Sequence, residues 1–148
     1  MDMESFIFSL IGGIIASVIV TFVWAIILKP RLGIENEEIV NGKFRVKLTN
    51  KQCFYSVSNI KIEVCKITKD EITKHLPIDK DEHLFLKHGK YRIFKAEVSI
   101  QDEQDLKDNK VDIRVHVSAN HSFSGFGKEY EKIYRYNSKT GKYLVSKK

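Results

Sequence analysis

The chain has 148 residues, with 25 Lys and Arg against 19 Asp and Glu, a formal net charge of +6 and two cysteines. Outside one apolar segment near its start, it is long enough for a single core and shows no second domain, internal repeat or low-complexity tail. Cys53 and Cys65, twelve apart with no second pair, exclude a structural zinc site, and neither a P-loop nor an EF-hand spacing is present.

Residues 6–28, FIFSLIGGIIASVIVTFVWAIIL, form a run of 23 residues without a charge. As a helix it spans roughly 34 Å, against a hydrocarbon core of about 30 Å, and a helix satisfies its own backbone in lipid. A cleaved signal peptide is the rival. Such peptides start basic, have a shorter apolar core and end at small residues. Here Asp2 and Glu4 precede the run, and Trp24-Ala-Ile-Ile-Leu28 closes it. The reading is a single transmembrane helix over residues 6–28, after an extracytoplasmic tail of residues 1–5.

Lys and Arg near helix ends set orientation. None precedes the helix, whereas Lys29 and Arg31 follow it, with Lys43, Arg45 and Lys47 beyond. The expected placement is the inner cell membrane, amino terminus outside and residues 29–148 cytoplasmic. Pro30 stops the helix. All 25 Lys and Arg fall after residue 28 and only two of the 19 acids precede it, so the soluble part carries +8. That sign suits an anionic leaflet or a phosphate ligand.

Within the helix, Ser9, Gly13, Ser17 and Thr21 recur every four positions, and Gly12 and Ala16 make an adjacent pair at the same spacing. Residues four apart share a face. A small-residue face lets two helices approach closely in lipid, with hydroxyls able to bond across. This predicts a homo-oligomer assembled through these six residues.

From Leu32 onward the apolar pattern changes to period two, with turn residues every 8–12 positions. Residues 32–35 give a first strand, and Asn41-Gly42 a two-residue hairpin turn. Phe44, Val46 and Leu48 alternate with charged or hydroxyl residues; so do Ile60, Ile62 and Val64, and so do Val111, Ile113, Val115 and Val117. Shorter strands are expected at 84–86, 91–94 and 96–100. A charged loop is expected from Asp102 to Lys110, a solvated run that includes Glu103, Asp105 and Asp108. Residues 128–136 and 142–145 flank a five-residue turn. Seven to nine strands and no second long helix predict an all-β domain, an immunoglobulin-like sandwich first and a small barrel second.

Residues 118–128 depart from the strand pattern, gathering Asn120, His121, Ser122, Ser124, Gly125, Gly127 and Lys128 around Phe123 and Phe126. Glycine-freed N–H groups beside a lysine can cradle a phosphate, and Phe123, Phe126 or Tyr130 can stack on a base. The alternative is a wide connection or bulge with its aromatics in the core. Arg114 and His116 lie on the polar face of their strand, as Arg45 and Lys47 do on another; if those strands are close, the faces form an anion surface, and otherwise they are the wet sides of a sheet. His75, His83 and His88 make no metal cluster. Cys65 falls on the outer register of its strand with nothing to activate it. No paired acid and base emerges, so no catalytic residue, metal or cofactor is assigned, and no enzyme and no DNA partner is expected.

One amino-terminal helix with the face Ser9, Gly13, Ser17 and Thr21, a break at Pro30 and a one-core β-domain resembles, in layout, the small membrane effectors of nucleotide-signalled anti-phage defence. That resemblance implies a soluble domain binding a nucleotide second messenger and helices that assemble to damage the membrane. The layout is also similar to the cytoplasmic part of inwardly rectifying potassium channels, without their second helix and selectivity filter. The expectation is a receptor-effector that binds an anionic signal through Arg114, His116 and residues 120–128 and perturbs the bilayer by oligomerising. The alternative is a tethered scaffold for a protein partner.

Overall fold

A computed structural model describes residues 3–52, 55–68 and 73–146, and Cys53 lies outside them. The apolar run forms helix α1, Met3–Ile27. Its stretch Met3–Trp24 has a mean hydropathy of 2.6, is long and apolar enough to cross a membrane, and is buried nowhere against the rest of the chain. Leu28 adds one last helical bond, its N–H donating to Trp24 O at 2.8 Å. Pro30, which has no N–H to offer, follows two residues later.

The remainder is mostly β. Strands β1 (Leu32–Val40), β2 (Lys43–Asn50) and β6 (Tyr91–Glu97) make a three-stranded antiparallel sheet in the order β1-β2-β6. A six-stranded sheet runs β4 (Thr73–His75), β3 (Val57–Thr68), β7 (Val111–His121), β8 (Gly127–Asn137), β9 (Lys142–Val145), with β5 (Glu82–Leu86) paired to the other half of β3. The two sheets do not close into one. The period-two pattern explains which face is buried. Phe44, Val46 and Leu48 on β2 and Ile113, Val115 and Val117 on β7 enter one hydrophobic cluster, so the charged residues between them face away from it. Phe44 joins the two sheets through edge-on contacts with Tyr134 and Tyr143, both at 5.8 Å. Burial pushes the Tyr134 hydroxyl up to about 12. The Asn41-Gly42 hairpin forms with both residues at positive φ, 53° and 69°, the pair of conformations a two-residue turn between twisted strands requires.

Several expectations need correction. The charged loop at Asp102–Lys110 begins with a helix, α2 (Ile100–Lys107), capped by Ser99, whose hydroxyl accepts from the Asp102 N–H at 3.1 Å. Consequently residues 96–100 are no separate strand: Ala96 belongs to β6 and Ile100 opens α2. Asp102 is not solvated either. It is buried and paired with Lys66 of β3, while Leu106 one turn on enters the core. Burial pushes the Asp102 carboxyl up, but hydrogen bonds from Lys66 and Ser99 and the charges of Lys66 and Lys74 outweigh it and hold the group low. Cys65 keeps the outer register but is covered there: its Sγ is 3.4 Å from His75 Nδ1, and only 2% of the residue is exposed. Burial pushes its thiol up, against the nearby Arg114, which favours the unreactive protonated form. Finally, residues 118–121 do not break the strand pattern. They are the last third of β7.

Candidate functional site at the helix exit

The stretch singled out between residues 118 and 128 reduces to a tight turn, residues 122–126, between β7 and β8. His121 N–H donates to Phe126 O and Gly125 N–H to His121 O, both at 2.8 Å. Gly125 has φ +71°, a conformation that side chains disfavour. Gly127 lies so close to Asn120 that a Cβ there would sit 3.0 Å from the amide oxygen. The aromatics do not enter the core: Phe123 is 74% and Phe126 44% exposed. His121 goes in instead, with no exposed surface, edge-on to Tyr55 at 4.8 Å. Its Nδ1 accepts the Ser124 N–H at 3.2 Å, which puts the ring proton on Nε2, where it meets no partner among the described residues. Burial holds the His121 pKa below the ordinary imidazole value.

This turn grips the end of α1. The Ser124 hydroxyl accepts from Phe126 N–H and shares its one proton between Leu28 O at 3.3 Å and His121 Nδ1 at 3.1 Å. Gln52 Nε2 donates to Lys29 O at 2.6 Å, Tyr130 Oη donates to Pro30 O and accepts from Leu32 N–H, and Lys51 N–H donates to Arg31 O. Carbonyls 28–31, in the segment just past the helix, are thus each taken up by the β-domain. The exit is clamped rather than loosely linked. Burial pushes the Tyr130 hydroxyl up, against the Leu32 amide and the Arg31 charge that pull it down, so it remains a donor.

Sequence reasoning missed the residue that organises this end. Asn50 is 1% exposed; its Nδ2 donates to Tyr55 O and Leu86 O, both at 3.0 Å, and its Oδ1 accepts from Gln52 N–H at 2.9 Å. Its own backbone bonds Lys90 O and Gly89 N–H. One amide therefore fixes two connections and the Gln52 that holds Lys29. The available signal was a lone Asn in the inward register after Phe44, Val46 and Leu48, where a hydrophobic residue would be expected.

The expected ligand residues do not form one site. Arg114 lies seven residues before His121 on β7, roughly 23 Å from it at about 3.3 Å per residue. It stands opposite Cys65 and Ile133. His116 sits between carboxylates, Nε2 3.5 Å from Glu129 and Nδ1 4.0 Å from Glu63. Nor do Arg114 and His116 join Arg45 and Lys47, because β2 and β7 are in different sheets and turn their polar faces away from the shared cluster. Asn120, Ser122, Ser124, Gly125 and Gly127 stay at the turn, while Lys128, paired with inward-facing Ala119, lies on the other face of the sheet from Asn120. The Lys128 ammonium lies over the Tyr130 ring, 5.0 Å from its centre, beside the clamped exit.

On α1 the hydroxyls of the small-residue face are occupied internally. Ser9 donates to Ser5 O, Ser17 to Ile14 O and Thr21 to Ser17 O, at 2.7–2.8 Å. They are therefore spent within the helix, and what this face offers a neighbour is close approach at Gly12, Gly13 and Ala16. A Cβ at Gly12 or Gly13 meets nothing within 4 Å.

No protein-family model matches the sequence, and no curated protein does. Among solved structures, the crystal structure of the GAE domain of GGA2p from Saccharomyces cerevisiae is similar at 13% identity over 72% of this chain and 94% of that chain, with a TM-score of 0.34. Similarity at that level assigns neither fold nor function.

Proposed function

We propose that this protein is a membrane-anchored receptor-effector: α1 crosses the bilayer and oligomerises, and a cytoplasmic β-domain, arranged as an immunoglobulin-like sandwich, takes an anionic signal at the turn between β7 and β8. The observation that carries the reading is the clamp. Ser124, in the turn, and Gln52 hold the carbonyls of Leu28 and Lys29 directly, so a ligand that shifts the turn also shifts the root of α1. Such coupling needs a ligand that favours one arrangement over another by about 1–3 kcal/mol. Contact residues are Ser122, Ser124, Gly125, Gly127 and Lys128, with His121 as the internal support; Asn120 is on the other face of the sheet from Lys128, and Arg114 and His116 are too far along β7 to touch the same small ligand. The chemistry on offer is N–H and hydroxyl donors with one ammonium, suited to a phosphate such as that of a nucleotide.

The test is dye release from vesicles containing the full chain, with cyclic oligonucleotides and inorganic phosphate added in turn. Release on addition of a nucleotide, lost in Lys128→Gln and Ser124→Ala, is expected. Unchanged permeability with protein shown to be inserted contradicts the effector role.

A second reading, a tethered scaffold, is favoured by β5. It pairs with β3 along one edge and exposes Leu84 (78%) and Phe85 (46%), a place where a partner's strand could add. A stoichiometric partner that co-purifies with the wild type and is lost in Phe85→Lys would select it.

A further inference from the structure

The two ends of the β-domain differ in charge. Four connections meet at the end from which α1 departs, residues 28–31, 51–56, 87–90 and 122–126. They carry Lys29, Arg31, Lys51, Lys87 and Lys90 and not one Asp or Glu, whereas the described connections at the opposite end, residues 41–42, 76–81, 98–110 and 138–141, contain six acids beside four lysines. All five cations are exposed, and no carboxylate of the described residues lies within ion-pair distance of them. Their segments are tied to one another by Asn50 and by the backbone bonds at Arg31, Gly89 and Lys90. At the same end stand Phe123 and Phe126, side chains that a soluble surface has no reason to display on one turn. Ser124, between them, is hydrogen-bonded to Leu28 O. The phenylalanines are thereby held next to the point where the apolar helix stops.

We propose that this end rests on the bilayer that α1 enters, its lysines and arginine against anionic phospholipid headgroups and Phe123 and Phe126 immersed in the interfacial layer. The inference rests on reading α1 as membrane-crossing and goes beyond it, since a clamped helix alone does not require the domain to touch lipid. The occupant follows from continuity. A surface fixed beside a helix end at the membrane boundary faces headgroups first, and both its charge and its aromatics match that layer.

The experiment uses the full chain carrying Trp24→Phe and Phe123→Trp, which leaves one tryptophan, in nanodiscs of phosphatidylcholine with or without phosphatidylglycerol. Resistance of the protein to alkaline carbonate is measured first, so failure of insertion is seen separately from failure of docking. With phosphatidylglycerol the tryptophan should be quenched by shallowly brominated lipid and shielded from acrylamide. Lys51→Gln and Lys87→Gln should each reduce the docked-to-undocked ratio about fivefold, and high salt should do the same. An inserted protein whose tryptophan is equally open to acrylamide in both lipids overturns the proposal, and so does carbonate release of the chain. Shielding without phosphatidylglycerol that appears only on adding a soluble acidic protein overturns it too and assigns the surface to protein binding. Should the tryptophan variant misfold, amide exchange of the unmodified chain decides. Slower exchange over residues 86–90 and 122–126 in the anionic discs supports docking; equal rates contradict it.

Discussion

Two side chains that look unremarkable in the sequence carry the connection between helix and domain. Asn50 satisfies Tyr55 O, Leu86 O and Gln52 N–H from a nearly solvent-free position. Truncating it strands buried backbone groups, each costing about 1–3 kcal/mol. Asn50→Ala should therefore lower stability by about 3 kcal/mol, read from the denaturant midpoint in detergent; Lys80→Ala, on the opposite end, should leave it nearly unchanged. His121 adds a pH dependence of definite sign. Its folded pKa is depressed by burial, so below the ordinary value of about 6.5 the unfolded chain binds a proton that the folded chain refuses. Stability is fully present above about pH 6.5 and is lost as the pH falls into the acid range. Protonation at Nδ1 ends its acceptance of the Ser124 N–H and makes the ring a donor to the Ser124 hydroxyl 3.1 Å away, whose own proton is then left to Leu28 O. Unfolding midpoints near pH 7.5 and pH 5 should differ in the wild type and converge in His121→Gln. An equal difference in both proteins contradicts this role.

Elements were legible in proportion to the length of their pattern. β2 and β7 alternate over eight and eleven residues, and Asn41-Gly42 marks its turn by chemistry, so both were readable. α2 was not, because it turns only Asp102 and Leu106 inward and follows an Ala-Glu-Val-Ser-Ile alternation that imitates a strand; its one clear sign was Ser99 three residues before Asp102. β4 has three residues, all exposed, and leaves no periodic trace. The candidate turn was visible as a cluster of Ser and Gly, but its purpose was not, since Leu28 and Ser56 lie 96 and 66 residues from the side chains that reach them. For α1 the readable feature is the small-residue face, and here the folded chain sharpens the expectation. A Cβ at Gly13 meets nothing within 4 Å outside the helix's own backbone. Gly13→Leu should leave the β-domain's melting unchanged and act only between molecules, reducing crosslinked oligomer severalfold in bilayers. Undiminished crosslinking removes Gly13 from the assembly face.

For the molecule as a whole, the clamped exit joins an apolar rod to a charged β-domain without a free hinge, while acids and α2 gather at the far end. This polarity makes one arrangement economical: rod in lipid, basic end at the headgroups, acidic end in water. On the proposed arrangement an anionic signal and anionic lipid would compete for neighbouring groups, since the turn stands at the end from which α1 departs. A signal binding there would then act by lifting the domain from the surface while pulling on Leu28. The account depends most on α1 being embedded and its root being held. Hydrogen exchange of the full chain in lipid nanodiscs measures both together. It should show almost no exchange over residues 6–24 and clear protection of the Leu28 and Leu32 amides, the second weakened by Tyr130→Phe. Rapid exchange across residues 6–24, or free exchange at residues 28 and 32 beside a protected helix, would contradict it.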